Sequence, residues 1–88
     1  MDLKDLRYFI AVYEAKGFSR ASTYLGTVQS NVSSRILDLE RNLGVQLFER
    51  RWRSLVPTEN AEKLYSDAQQ VIAALNQAES RFKPARAA

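Results

Sequence analysis

The chemistry of this 88-residue chain is concentrated in Thr27–Leu43. Apolar residues recur there at helical spacing, which predicts an α-helix with one apolar face: Val28, Val32, Ile36, Leu39 and Leu43. Near the start of this helix, the opposite face carries uncharged donors and acceptors: Gln29, Ser30, Asn31, Ser33 and Ser34. Such side chains match the donors and acceptors that base edges present in the DNA major groove. The pattern predicts a helix that reads duplex DNA.

The residue types that most enzymes use are missing from this chain. It contains no Cys and no His, so the commonest general base, the thiol nucleophile and the usual zinc ligands are all lacking. Asp and Glu are present, but no pair of them has a spacing that suggests a catalytic cleft. We therefore expect a chain that is not an enzyme and that has no catalytic residue, metal or cofactor.

The charge pattern indicates a polyanionic partner. The net charge is +3, and no acidic residue occurs between Glu14 and Asp38. Three cations lie inside this gap: Lys16, Arg20 and Arg35. A second group of cations follows in the run Arg50-Arg51-Trp52-Arg53. A cationic region without carboxylates around the predicted reading helix is typical of nucleic-acid binding.

Two shorter helices are predicted before the reading helix. The first covers Asp2–Lys16, with Asp2 as its N-cap and Gly17 as its stop signal. The second covers Phe18–Leu25, with Ser19 as its N-cap. Gly26-Thr27 then forms the turn into the reading helix, which makes a helix-turn-helix.

A small β-hairpin is predicted after Gly44, which ends the reading helix. Its strands are Gln46–Arg50 and Ser54–Val56. Arg51 and Arg53 are two residues apart, so in extended backbone their side chains project to the same side. We expect Trp52 between them either to cover the base of the hairpin or to pack on a partner.

A long helix is predicted from Pro57-Thr58-Glu59 to about Phe82, capped by Thr58. Its apolar residues follow a seven-residue repeat, and they form the predicted dimer interface: Ala61, Leu64, Tyr65, Ala68, Val71, Ile72, Leu75, Ala78 and Phe82. At one position of the repeat the first two residues are small and the last two are large, which favours antiparallel pairing of two copies: Ala61, Ala68, Leu75 and Phe82. The alternative is a helix that folds back on its own domain. Residues 83–88 are predicted to be a tail.

Motifs along almost the whole chain carry a family resemblance. They are the first helix at Lys4–Ala15, the segments Phe18–Leu25 and Gln29–Leu43, the run L-E-x-x-L-G-V-x-L-F-E-R at Leu39–Arg50, and Pro57-Thr58-Glu59. Together they resemble the N-terminal domain of LysR-type transcriptional regulators. The resemblance implies a mostly α fold, in which three helices and a β-hairpin wing form a winged helix-turn-helix that precedes a long dimerisation helix. We expect a DNA-binding domain at 1–57, a linker and dimerisation helix at 58–82, and the tail at 83–88.

The expected function is sequence-specific binding of double-stranded DNA by a dimeric, cytoplasmic bacterial regulator, with two half-sites related by an approximate two-fold axis. The base-reading candidates are Thr27, Gln29, Ser30, Asn31 and Ser33. The candidates for phosphate or minor-groove contacts are Arg20, Ser34, Arg35, Arg50, Arg51 and Arg53. No membrane partner is expected, and any small-molecule inducer would bind a domain absent from this chain. The alternative function is a helical dimerisation or adaptor module that binds an acidic protein.

Overall fold

The computed structural model describes residues 1–82, and the predicted tail at 83–88 lies outside them. Four helices and one antiparallel hairpin follow one another in the order α1 Leu3–Ala15, α2 Phe18–Leu25, α3 Gln29–Leu43, β1 Phe48–Arg51, β2 Ser54–Pro57 and α4 Glu59–Ser80. This order confirms the predicted fold class. None of these helices is long and apolar enough to cross a membrane.

The junction between α1 and α2 differs from the prediction. Asp2 caps α1 as expected, because its side chain accepts the Asp5 N–H while the Asp5 carboxylate accepts the Asp2 N–H. At the other end Lys16, not Gly17, adopts the left-handed conformation, with φ 58°, and its N–H donates to the Val12 carbonyl. Gly17 is extended and directly precedes α2, so Ser19 lies inside the helix and is not its cap.

The core is built around α1 and the apolar face of α3. Phe9 and Val12 of α1 are fully buried, as are three residues of α3 and the adjoining loop: Val32, Ile36 and Leu47. Val28 is 64% exposed, which contradicts its predicted place on the apolar face. The reason is that Val28 is the N-cap residue, with extended backbone, so the helical spacing begins only at Gln29.

The predicted hairpin forms, but β1 begins at Phe48 instead of Gln46, and the tip differs from the prediction. Arg51 pairs with Ser54, which leaves Trp52 and Arg53 as a two-residue loop. Because Arg53 has φ 61°, the backbone is not extended there, and the argument that placed Arg51 and Arg53 on one side is wrong. Trp52 is 85% exposed, so it does not pack over the base of the hairpin.

The first half of α4 packs on its own domain. Ala61 and Ala68 are 0% and 1% exposed, and Tyr65 stacks on Tyr13 of α1 with ring centroids 4.0 Å apart. Ala61 and Ala68 are therefore core residues, which corrects their assignment to a dimer interface; Leu64 and Tyr65 also contact this core. The predicted boundary at 57/58 does not separate two independently packed units.

Candidate nucleic-acid interface

The polar side chains at the start of α3 face outward. Gln29, Ser30 and Asn31 are exposed, and the Asn31 Nδ2 donates to Thr27 Oγ1 at 3.0 Å. Ser33 is half-buried, and its hydroxyl donates to the Ser30 carbonyl at 3.2 Å. Four of the five predicted base readers thus form one surface, Thr27 and Asn31 being joined by a hydrogen bond, while Ser33 lies at its inner margin.

This surface is held from behind by apolar packing. Val32, Ile36 and Leu39 on the opposite face of α3 are at most 2% exposed, and Ala21 of α2 is fully buried in the same core. Gly26 makes the turn between α2 and α3 with φ 72°, a conformation that a residue with a Cβ adopts only at a cost. The polar face is consequently presented by a helix that is fixed along its length.

The helices of the helix-turn-helix begin differently from the other two. The N-termini of α1 and α4 are capped by Asp2 and Thr58, and acidic residues occupy their first turns. Neither α2 nor α3 has a side-chain cap or an acidic residue in its first turn. Their first N–H groups and the positive ends of their dipoles are therefore left for an anion such as a phosphate.

A basic cleft of about 910 Å³ joins α2 to the hairpin. Its walls carry five cations, and no carboxylate is among the residues that line it: the cations are Lys16, Arg20, Arg50, Arg51 and Arg53. Gln29 lines the same cleft, so the polar face of α3 and the basic hairpin form one continuous surface. This continuity was not evident from the sequence, in which Gln29 and Arg50 lie 21 positions apart.

The three hairpin arginines have different surroundings. The guanidinium of Arg50 lies 4.9 Å from the centre of the Phe18 ring, and that of Arg53 lies 5.2 Å from the Trp52 ring. Arg51 pairs with Glu49 at 3.5 Å, but both side chains are largely exposed. Exposed pairs of this kind contribute about 0–1 kcal/mol, so a phosphate can displace Glu49 from Arg51.

Arg35 is engaged inside the domain. Its guanidinium donates to the Asp5 carboxylate at 2.8 Å, with the two side chains 28% and 18% exposed, and it lies 5.1 Å from the Tyr8 ring. Burial raises the pKa of Asp5, but the Asp2 N–H and the Arg35 guanidinium together lower that pKa below its usual 3.8. This pairing engages Arg35 with the core of the domain, so its predicted phosphate contact stays a prediction. It also shows that the segment between Glu14 and Asp38, which contains no acidic residue, is still contacted by a carboxylate from elsewhere in the chain.

Two positioning residues were missed by sequence reasoning. The Glu40 carboxylate on α3 accepts the N–H groups of Leu47 and Phe48, at 2.7 and 3.2 Å. The Thr58 hydroxyl, predicted only as a helix cap, also donates to the Gln46 carbonyl at 2.7 Å. These contacts fix the hairpin to α3 and α4. In the sequence, these contacts were indicated only by the acidic Glu40 near the end of α3. The N–H groups that it binds lie after the helix, so the sequence did not identify them.

Comparison with known proteins supports this geometry. The family model described as bacterial regulatory helix-turn-helix protein, lysR family, matches residues 3–62. The transcriptional regulator BudR of Raoultella terrigena is 45% identical over 73 residues, which are 83% of this chain and 25% of BudR. The Hca operon transcriptional activator HcaR of Escherichia coli (strain K12) is 43% identical over 86 residues, which are 98% of this chain and 28% of HcaR. The chain therefore spans about a quarter of the length of these two relatives.

A solved structure resembles the whole chain. It is the DNA-binding domain of BenM in complex with catB site 1 DNA, which is 34% identical, with a TM-score of 0.90. The match covers 100% of this chain and 98% of that domain.

Proposed function

The chain belongs to the lysR family of bacterial regulatory helix-turn-helix proteins, and from this we propose that it is the DNA-binding portion of a dimeric transcriptional regulator. It binds specific double-stranded DNA sequences. The observation that carries the proposal is the exposed, uncharged polar face at the start of α3, continuous with a cationic cleft. A protein-binding surface would not need hydrogen-bonding side chains free of charge beside five clustered cations.

The N-terminal half of α3 enters the major groove. Gln29 bonds bidentately to an adenine, and the neighbouring readers bond base edges: Thr27, Ser30 and Asn31, with Ser33 at the margin. The uncapped N-termini of α2 and α3 meet phosphates. The hairpin is the wing, and with α2 and Ser34 of α3 it supplies the phosphate and minor-groove contacts: Arg20, Ser34, Arg50, Arg51 and Arg53.

Dimerisation uses the part of α4 that its own domain leaves uncovered. Val71 and Phe82 are 43% and 87% exposed, and the antiparallel partner helix covers them together with Ile72, Leu75 and Ala78. A two-fold dimer presents two reading helices, so the operator contains two half-sites. The part at 1–57 together with the first half of α4 forms the DNA-binding unit, and the rest of α4, with the two residues that follow it to Phe82, is the linker.

The wider role follows from the same reasoning. As part of a transcriptional regulator the chain acts in the cytoplasm and catalyses no reaction, and an inducer binds outside this chain. The helical adaptor alternative accounts for the exposed apolar residues of α4. It does not account for the uncharged polar face at the start of α3, so the DNA-binding function is preferred.

Selection from a random pool of duplex DNA, followed by titration at two salt concentrations, tests the proposal. We expect the selected duplex to bind at least about 10³-fold more tightly than a scrambled one. The slope of log K against log[salt] should be about −0.9 for each phosphate neutralised. Equal affinity for the two duplexes would contradict base reading. Failure to bind either duplex would favour the adaptor.

A further inference from the structure

Trp52 is the only tryptophan of the chain, and it is 85% exposed at the tip of the hairpin. An indole is the largest apolar side chain, and its transfer out of water is favourable. Nothing in the hairpin fold requires it there, because the two-residue loop between Arg51 and Ser54 places no core demand on its first residue. The exposed indole is therefore available to a partner.

The charges around Trp52 indicate the chemistry of that partner. Arg51 precedes it, and the guanidinium of Arg53 lies 5.2 Å from the centre of its ring. Both arginines line the basic cleft that Gln29 also lines. A polyanion that covers Gln29 and the cleft therefore continues towards the hairpin tip, where the indole lies between two cations.

We propose that Trp52 packs into the minor groove next to the half-site that α3 reads, while Arg51 and Arg53 bind the phosphates on either side. The proposal rests on the DNA-binding function above and adds an apolar contact to it. An indole forms no bidentate hydrogen bonds with base edges, so it senses groove shape. The minor groove is only about 6 Å wide, so the indole enters best at flexible pyrimidine–purine steps, which widen and unstack at low cost.

Tryptophan fluorescence gives a direct test, since the whole signal comes from this one residue. Acrylamide quenching is measured for the free 88-residue chain and for the chain saturated with the selected duplex. Binding itself is followed independently by the fluorescence anisotropy of a dye on the duplex. We expect the indole to be readily quenched in the free chain and protected several-fold in the complex.

Variants separate an apolar contact from a charge contact. Trp52→Ala should weaken binding of the selected duplex about tenfold, as expected for the loss of one buried apolar contact, and should leave the salt slope unchanged because no charge is lost. Arg53→Ala should reduce the magnitude of that slope by about one unit. Tyr24→Ala is the matched control: Tyr24 is 84% exposed, but it lines a separate groove with Arg7 and Ile72, and its loss should change neither quantity.

Hydroxyl-radical footprinting locates the contact, because these radicals attack the deoxyribose hydrogens exposed in the minor groove. Trp52→Ala should lose protection beside each half-site, and Tyr24→Ala should keep it. Protection retained by Trp52→Ala would overturn the minor-groove assignment.

The outcomes distinguish this proposal from the function it rests on. A duplex that binds while the indole stays fully quenchable overturns the role of Trp52 and leaves the DNA-binding function intact. Absence of duplex binding overturns both. Indole protection that increases with protein concentration and without DNA would place Trp52 between two copies of the chain and overturn its role in the groove.

Discussion

Asp5 has two structural roles at the level of a single residue. Its carboxylate completes the capping box of α1 and pairs with Arg35 of α3 at 2.8 Å in a half-buried position. A charge-assisted hydrogen bond contributes about 1.5–3 kcal/mol, far more than an exposed pair. Asp5 and Arg35 thus fix the relative position of α1 and of the helix that carries the reading face.

We expect Asp5→Asn to lower the free energy of unfolding at pH 7 by about 2 kcal/mol. The pKa of Asp5 is lowered in the folded chain, so its stabilisation is present above about pH 4 and is lost as the pH falls through the folded-state pKa. The linkage relation therefore predicts that the free energy of unfolding falls less for the variant than for the wild type between about pH 5 and about pH 2. Urea unfolding at several pH values measures this.

Asp38→Asn is the control for Asp5→Asn. Asp38 pairs with Arg41, but both side chains are more than 70% exposed. Its loss should change the free energy of unfolding by less than about 0.5 kcal/mol. Equal effects of the two substitutions at every pH would contradict a specific role of Asp5.

At the level of elements, the position of the hairpin depends on two side chains outside it. Glu40 accepts two backbone N–H groups at the start of β1. Thr58 bonds the Gln46 carbonyl while it caps α4 through the Ala61 N–H. The angle between the wing and the reading helix is therefore set by hydrogen bonds from α3 and α4.

We expect Glu40→Ala to destabilise the chain by about 2 kcal/mol, because two partly buried N–H groups lose their acceptor. It should also weaken binding of the selected duplex beyond any loss of folded protein, since the wing is no longer held. Glu40→Gln keeps one acceptor oxygen and should restore most of the binding. Chemical unfolding and duplex titration of both variants measure this, and an alanine variant with unaltered duplex affinity would contradict the role.

The elements could be predicted from local pattern, whereas contacts between distant residues could not. Periodicity located α1, α3 and α4, and α2 was located from the turn residues around it. Thr58 was recognised as the cap of α4 because capping depends on neighbours a few residues away. The Asp5–Arg35 pair spans 30 positions and depends on how α1 and α3 cross. Likewise, a seven-residue repeat does not show whether an apolar residue packs on its own domain or on a second copy. For this reason the pattern wrongly placed Ala61 and Ala68 in the dimer interface.

At the level of the whole molecule, α4 has two different halves. Its first half is buried against α1 and is anchored by the hydrogen bond from the Tyr65 hydroxyl to Glu14. Its second half extends away in a molecule 51 Å long and 25 Å wide and exposes Val71. The helix ends at Ser80, before the predicted end at Phe82, and Phe82 lies exposed in the turn that follows. An apolar stripe that is covered at one end and open at the other is what a second copy would complete.

We expect Leu75→Asp to split the dimer, because it buries a charge in the apolar contact between two helices. Sedimentation should change from twice the 10.0 kDa mass of one chain to a single mass. Ala73→Asp, at an exposed position off the repeat, should leave the dimer intact. A dimer that survives Leu75→Asp would contradict this pairing of helices.

The central claim is that the exposed face at the start of α3 reads base pairs, and Gln29→Ala tests it most directly. The affinities of the wild-type and variant chains are measured for the selected duplex and for every single-base-pair change within one half-site. The account predicts that the variant loses about 1–3 kcal/mol of discrimination at one base pair and keeps it at the others. An equal loss of affinity for all duplexes, with discrimination unchanged at every position, would contradict it.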